Sequence, residues 1–477
     1  MAPLVWLERA RGRRRLALLV LYVVVAGFIA LLGWWSLSLR NLPDVGDPFD
    51  VAAFRKVSVP DDQNAFTLYD QAIAQLKDLP NSERGQPLND ALDGGLAAAS
   101  PKIRAWFEAN RGALEIWRRG TERPRAFHGL PEGPAPRGLG HMPGWRYNQA
   151  LSSLARLAKL EARRREDQGD REAAWGWYRA ILRSSRHVEM YGSTVDRNTG
   201  VLMYQQVAWP IQMWASDPKV DPALLRRILA ELKAIDAQTP PPSQTLKVDY
   251  LIAMAELDAA EPPSPHAGPR PDEDTWYRFL PLYTFAEFHA RREPERGRRV
   301  VRLFYANWLP YADRPAATRP AFIWPGGPGA IGFSNAPGVF DARADPSAPA
   351  SARALDPPAL ARWLDSSTFA GPALYGGDPN VFGREAQARA MLLVELAREL
   401  YRRDHGSFPA TDQALVGPYL DRLPDMSPRA LAPRVLPRAT SRRMMAPKAV
   451  ATPAAKPSPP KPTEPGDDAP EPERDMP

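Results

Sequence analysis

Residues 145–191, WRYNQALSSLARLAKLEARRREDQGDREAAWGWYRAILRSSRHVEMY, set the fold class. Leu151, Leu154, Leu157 and Ala158 share one helical face in the first half, and Ala174, Trp177, Tyr178, Ile181 and Val188 share another in the second. Gln168-Gly169-Asp170 interrupts the pattern. Two amphipathic helices joined by so short a turn form an αα-hairpin, whose apolar stripes face each other. No run of alternating apolar and polar residues suggests a sheet elsewhere, so the expected fold class is mainly α.

Towards the N-terminus the same period predicts a helix at about 61–79, carrying Phe66, Tyr69, Ile73 and Leu76 behind Asp61 and Asp62. Residues 80–99 read as a polar loop. Ser100 as N-cap and Pro101 at the first helical position then open a helix with Ile103, Trp106, Phe107, Leu114 and Trp117, stopping at Gly120. Glycines and prolines without period make 120–144 a surface connection. Towards the C-terminus, helices are expected at about 196–215, kinked at Pro210, from Asp221-Pro222 to about Ile235, and from a Ser243 cap to Leu257. Prolines interrupt at 261–272, before two aromatic-rich helices at about 274–290 and 294–309. Residues 311–355 are a Gly/Pro-rich loop, a length that marks either function or disorder. A C-terminal helical segment, 356–425, begins with a short helix capped by Asp356 and continues with a strong one at about 384–404, where Ala390, Leu393, Val394, Ala397 and Tyr401 share a face.

The chain begins with a basic stretch, residues 1–15, holding Arg9, Arg11, Arg13, Arg14 and Arg15, and runs directly into apolar residues 16–36 ending near Trp34-Trp35. About 20 apolar residues match the hydrocarbon core of a bilayer, and tandem tryptophan suits its interface. The expected partner of residues 16–36 is therefore the lipid bilayer, as an uncleaved signal anchor in the inner (cytoplasmic) membrane. The positive-inside rule keeps residues 1–15 cytoplasmic and exports the remainder. The alternative is a signal peptide cleaved near Ser36-Leu37-Ser38, although its apolar region exceeds the usual length. Residues 37–60 read as a linker and 61–310 as the exported helical domain. Residues 426–477, rich in proline, alanine and arginine without apolar period, read as a disordered tail.

The net charge of +7 does not point to nucleic acid. It resolves into about +5 in residues 1–40, about +3 in 426–477 and about −1 in the body between them, whereas a nucleic-acid binder carries its basic footprint on the folded domain. The tail runs from Arg429 to Lys461 without an acid, so an anionic envelope polymer is its candidate contact, with an inert tether as the alternative. The absence of cysteine excludes disulfides, thiolate metal sites and cysteine nucleophiles.

No catalytic, cofactor-binding or metal-binding residue stands out. Gly327, Gly329 and Gly332 spell a dinucleotide fingerprint, but Pro328 lies inside it and Pro337-Gly338 follow, where the motif needs a helix. Ser334 lacks the strand-turn-helix setting of a nucleophilic serine. His128, His141, His187, His266, His289 and His405 fall at no metal-ligand spacing. Arg291, Arg292, Arg296, Arg298, Arg299 and Arg302 read as a solvated helix face beside Glu293 and Glu295, with an anionic ligand as the alternative. The aromatics around Trp276 and Trp308 read as core, with a ligand groove as the alternative.

Three resemblances accompany this reading. Gly169, Ala174, Tyr178 and Ile181 resemble a tetratricopeptide-type hairpin, without a second copy at the required period. Within residues 384–424, Tyr401, Arg402, Asp404, His405, Gly406, Phe408, Pro409, Tyr419, Leu420, Leu423 and Pro424 resemble a segment of type II secretion major pseudopilins. Residues 293–315, EPERGRRVVRLFYANWLPYADRP, are similar to a stretch of single-span, membrane-anchored helical proteins of GC-rich bacteria, which implies architecture and no activity. The expected function is a cell-envelope scaffold or protein-interaction protein. The alternatives are an envelope hydrolase whose site assembles only in the fold, and a secretion-system accessory.

Overall fold

Residues 12–40, 43–131, 145–258, 294–315, 318–320, 322–323, 339–347 and 381–424, with 353, 356 and 360, are described by a computed structural model. All lie in the first of two contact-defined units, Met1–Leu436. The fold is mainly helical. The only sheet among the described residues is one antiparallel pair, β1 (Phe322–Ile323) with β2 (Val339–Phe340).

Helix α1 spans Arg13–Arg40. At 1.5 Å per residue it is about 42 Å long. Among the described residues no helix is long and apolar enough to cross a membrane. Within α1 the side chains are described without a break only over 19–30, a shorter run than the roughly 20 residues a span needs. Leu19, Val20, Leu21, Val23, Val24 and Ile29 in that run are exposed.

The larger core is built from eight packed helices and the C-terminal helix. Helix α3 (Ala65–Gln75) starts at Asn64, whose side chain accepts from Phe66 N and Phe127 N and so also ties down the segment around Phe127. The start is later than Asp61 and Asp62 suggested. The supposed loop 80–99 holds α4 (Gln86–Ala98), which buries Leu88, Ala91 and Leu92 and bends at Gly95 with φ 73°. Ser100 caps α5 (Pro101–Ala109) as expected, accepting from Ile103 N. The chain then breaks at buried Asn110, whose carboxamide binds Lys77 N and O, and α6 (Arg111–Thr121) starts anew. The hairpin forms from α7 (Trp145–Asp167) and α8 (Arg171–Glu189), with Gly169 at φ 79° in the turn and Asp170 capping α8 through Ala173 N. Next come α9 (Thr194–Ser216), opened by a Ser193/Asp196 capping box, and α10 (Pro222–Asp236), capped by Asp221.

A second core joins α11 (Pro242–Asp258), α12 (Pro294–Ala312) and β2. Ser243 is not the cap of α11. Its N–H and hydroxyl donate instead to Asp313, just past the end of α12, at 2.8 and 2.5 Å. Residues 43–55, expected as linker, belong to this core. They form a short helix, α2 (Val51–Arg55), and set Phe49 and Phe54 against it, while Tyr250 donates to Asp47 at 2.5 Å. Part of the loop 311–355 also packs here, because Asn307 exchanges two 2.8 Å hydrogen bonds with the backbone of buried Phe340. The expected helix 274–290, most of the short helix after Asp356, and the tail 426–477 lie outside the described residues.

Helix α13 (Val381–His405) returns from far along the chain to pack beside α9 and α10. Gly406 at φ 78° ends it, with its N–H on Arg402 O at 2.8 Å. Thr411 precedes the 3-10 turn Asp412–Leu415 but makes no side-chain cap.

Candidate functional site

Two connected features stand out where α13 meets the body: a buried ion cluster on its inner side and an uncharged apolar face on its outer side. Inside, Glu385 accepts from Arg186 Nη1 and from Arg197 Nε, each at 2.7 Å. Arg197 also donates to Thr245 Oγ1 and Pro240 O, at 3.1 and 2.9 Å. Arg186 and Arg389 both donate to Thr239 Oγ1. Glu189 Oε1 stands 3.0 Å from Arg186 Nη2 without the alignment of a hydrogen bond. Arg186, Arg197, Glu189 and Glu385 are at most 2% exposed.

Burial raises the carboxyl of Glu385, and the charges of Arg197, Arg186 and Arg389 outweigh it, so the group ends below its ordinary value. Glu189 goes the other way: burial, with Glu385 adding repulsion, pushes it well above. Burial also lifts Asp236, at the end of α10, to about 6 against the pull of Arg389 and Arg186. Gly200 makes the close α8–α9 contact possible, since a Cβ there would stand 2.5 Å from Glu189 Oε1 and 2.6 Å from Ser185 O.

On the outer side, Leu202, Trp209 and Met213 fall on one stripe of α9 and are 47%, 67% and 50% exposed. The helix contains no charged side chain from 198 to 216, in a chain where a quarter of residues are charged. Gln205 and Gln206 lie between the apolar groups on the same stripe. Helix α13 runs parallel beside it: Arg384 donates to Asn198 at one end, and Arg403 donates to the carbonyls of Ala215, Asp217 and Val220 at the other. Met391, half exposed, continues the face across α13. Further along, Glu395, Arg398, exposed Phe408 and Pro409 to Asp412 line a concavity of about 400 Å³, with Arg398 bound to both Glu395 and Asp412.

The residues weighed in the sequence are distributed otherwise. His187 is fully buried, its Nδ1 2.8 Å from the Tyr69 hydroxyl, and burial with the charge of Arg183 lowers it to about 3. His405 stacks on Tyr401, and its Nδ1 lies 3.0 Å from Tyr401 O. His128 lies 3.9 Å from Asp70. No group of three histidine or acidic side chains able to hold a metal occurs among the described residues. Arg298 binds Asp258, and Arg302 binds Asp44 and Asp47 in the segment before α2; Arg291, Arg292 and Glu293 and the side chains of Glu295 and Arg296 lie outside the described residues. Trp308 is buried against Phe304 and Phe340, as a core residue. Gly327, Gly329, Gly332, Ser334, Trp276, His141, His266 and His289 lie outside the described residues.

Sequence reasoning missed the ion cluster and the outer face. Glu385 sits in register with Leu392 and Leu396, seven and eleven residues on, so an acid on a buried stripe was the available signal. Compared with known proteins, the chain matches no protein-family model, no curated protein and no solved structure.

Proposed function

We propose that this chain is a membrane-anchored scaffold of the cell envelope that works by binding protein through the outer face of α9 and α13. The observation that carries this reading is the exposed Leu202–Trp209–Met213 stripe in an uncharged stretch of helix. Interface centres are depleted of charge and enriched in tryptophan and methionine. The surface of α10 is of another kind, laced with ion pairs such as Arg226–Asp404 and Arg227–Glu172. Anchoring is supported by a single helix of backbone over Arg13–Arg40 whose residues 16–35 are apolar, with the basic end kept in the cytoplasm.

Membrane fractionation and protease treatment of spheroplasts test the placement. The protein should stay in the membrane after carbonate extraction, and a C-terminal epitope should be digested in spheroplasts. An epitope shielded until lysis would overturn the export of the body. For the scaffold role, replacing Trp209 by glutamate should remove the in-cell crosslinked neighbours of a wild-type chain carrying a photoreactive residue at 205. An unchanged neighbour set would sink it.

A further inference from the structure

We infer that the partner seated on this face is a second copy of the same chain, joined through α9 about a two-fold axis. The inference rests on the scaffold reading and names its partner. Leu202, Trp209 and Met213 stand at i, i+7 and i+11, so they form one narrow stripe along the helix. The polar groups among them, Gln205, Gln206 and Gln212, are all carboxamides.

That choice of polar group selects the occupant. In an isologous contact each group near the axis meets its own copy. A lysine or glutamate there would face a like charge, whereas a carboxamide carries both donor and acceptor and pairs with itself. A basic group at the rim, Arg384, already donates to Asn198 at 2.9 Å. A helix face that lies on lipid carries lysine or arginine beside its apolar groups, and residues 198–216 have none. A strongly charged protein partner would likewise find nothing to pair with on this stripe. Trp209 is the anchor of the contact, because large aromatic side chains at an interface centre dominate its energy. Met391 on α13 supplies apolar surface at the flank.

The test uses the full-length chain in detergent micelles, with its mass measured across a range of concentrations. The wild type should be a dimer, and Trp209→Glu should weaken association by about 30-fold or more with an unchanged helical signal and melting temperature. Because the chain has no cysteine, a single Gln205→Cys provides a second readout that keeps Leu202, Trp209 and Met213 in place. It should form an intermolecular disulfide on mild oxidation, while Glu115→Cys, on α6, should not. A monomeric wild type overturns the inference, as does a dimer untouched by Trp209→Glu and uncrosslinked through residue 205. A dye attached to the thiol of the Gln205→Cys variant and quenched by spin-labelled lipids after reconstitution also overturns it, by placing the face on the bilayer. A monomer that resists carbonate extraction would remove the pairing and leave the anchored-scaffold reading in place.

Discussion

Replacing Glu385 by alanine is the most demanding test of how α13 is held. The side chain accepts two charge-assisted hydrogen bonds at 2.7 Å, from Arg186 and Arg197, and lies 3.6 Å from Arg389 Nε. All of this occurs where both main donors are essentially inaccessible to water. Removing one partner of a buried ion pair leaves the other charge uncompensated, at a cost of about 3–5 kcal/mol. Glu189 cannot take over, because its oxygens lack the alignment to accept from Arg186 and burial already disfavours its charge. For a domain of this size such a loss corresponds to a melting temperature lower by roughly 5–15 °C. Differential scanning of the detergent-solubilised full chain reads this directly. Replacing all three groups together, Arg186→Met, Arg197→Leu and Glu385→Leu, should recover most of the loss, since well-packed apolar side chains often equal a buried pair in stability. A Glu385→Ala protein melting within a degree of the wild type would refute the argument that the cluster clamps α13.

Two other substitutions probe the same region. Gly200→Ala should destabilise by about 1–3 kcal/mol in chemical denaturation, because the added methyl meets Glu189 and the Ser185 carbonyl; by helix propensity alone it would gain about 1 kcal/mol, so a stabilised variant would show that α8 and α9 are not this close. Asp236→Asn should stabilise at pH 7.5 by about 3 kcal/mol at most. The folded-state value of Asp236 is lifted from 3.8 to about 6, so the ionised carboxylate opposes folding above pH 6, its cost fades from pH 6 to 4, and below that the variant and wild type should converge. A gain that persists at pH 4 would assign the effect to something other than ionisation.

The helices were legible because their stripes are local. The hairpin at 145–191, the Ser100 and Asp221 caps and the Gly406 stop each depend on residues within a few positions of one another. Helix α4 was missed for a local reason too: Gly94-Gly95 and the surrounding polar residues imitate a loop, yet Leu88, Ala91 and Leu92 find a place against α7. The ion cluster was illegible because its partners are distant in sequence; Arg186 and Glu385 are separated by 199 positions. Residues 43–55 were hidden likewise, since Phe49 and Phe54 acquire a core only when α11 and α12 supply it. The outer stripe of α9 was visible as sequence, but an apolar helix in a mainly α protein is ordinarily buried on most sides. Only the packing shows which of its apolar residues remain in water.

The inner and outer features of α13 are linked through its register. Glu385 is the one acid on that stretch of the helix placed between two buried guanidiniums. A slide of one turn would bring Arg389 or Val381 to the same slot, leaving Arg186 and Arg197 facing a like charge or no charge at all, in an interior where several kcal/mol attach to each unpaired ion. An apolar slot would tolerate such a slide, because Val381, Ala388 and Leu392 are all acceptable in a hydrophobic interior. The register fixed on the inside also sets what lies beside α9 on the outside. Met391 stands seven residues after Arg384, level with Gln205, which stands seven after Asn198, and the Arg384–Asn198 hydrogen bond holds the two rows side by side. The same register carries Arg403 to the end of α9, where it donates to the carbonyl of Ala215 in the last turn and to those of Asp217 and Val220 just beyond it. The slide that brings Arg389 into the slot would also set Glu395 beside the glutamines and put a charge into the uncharged face. The buried cluster therefore decides, through a single helix, the chemistry that the body presents to a partner.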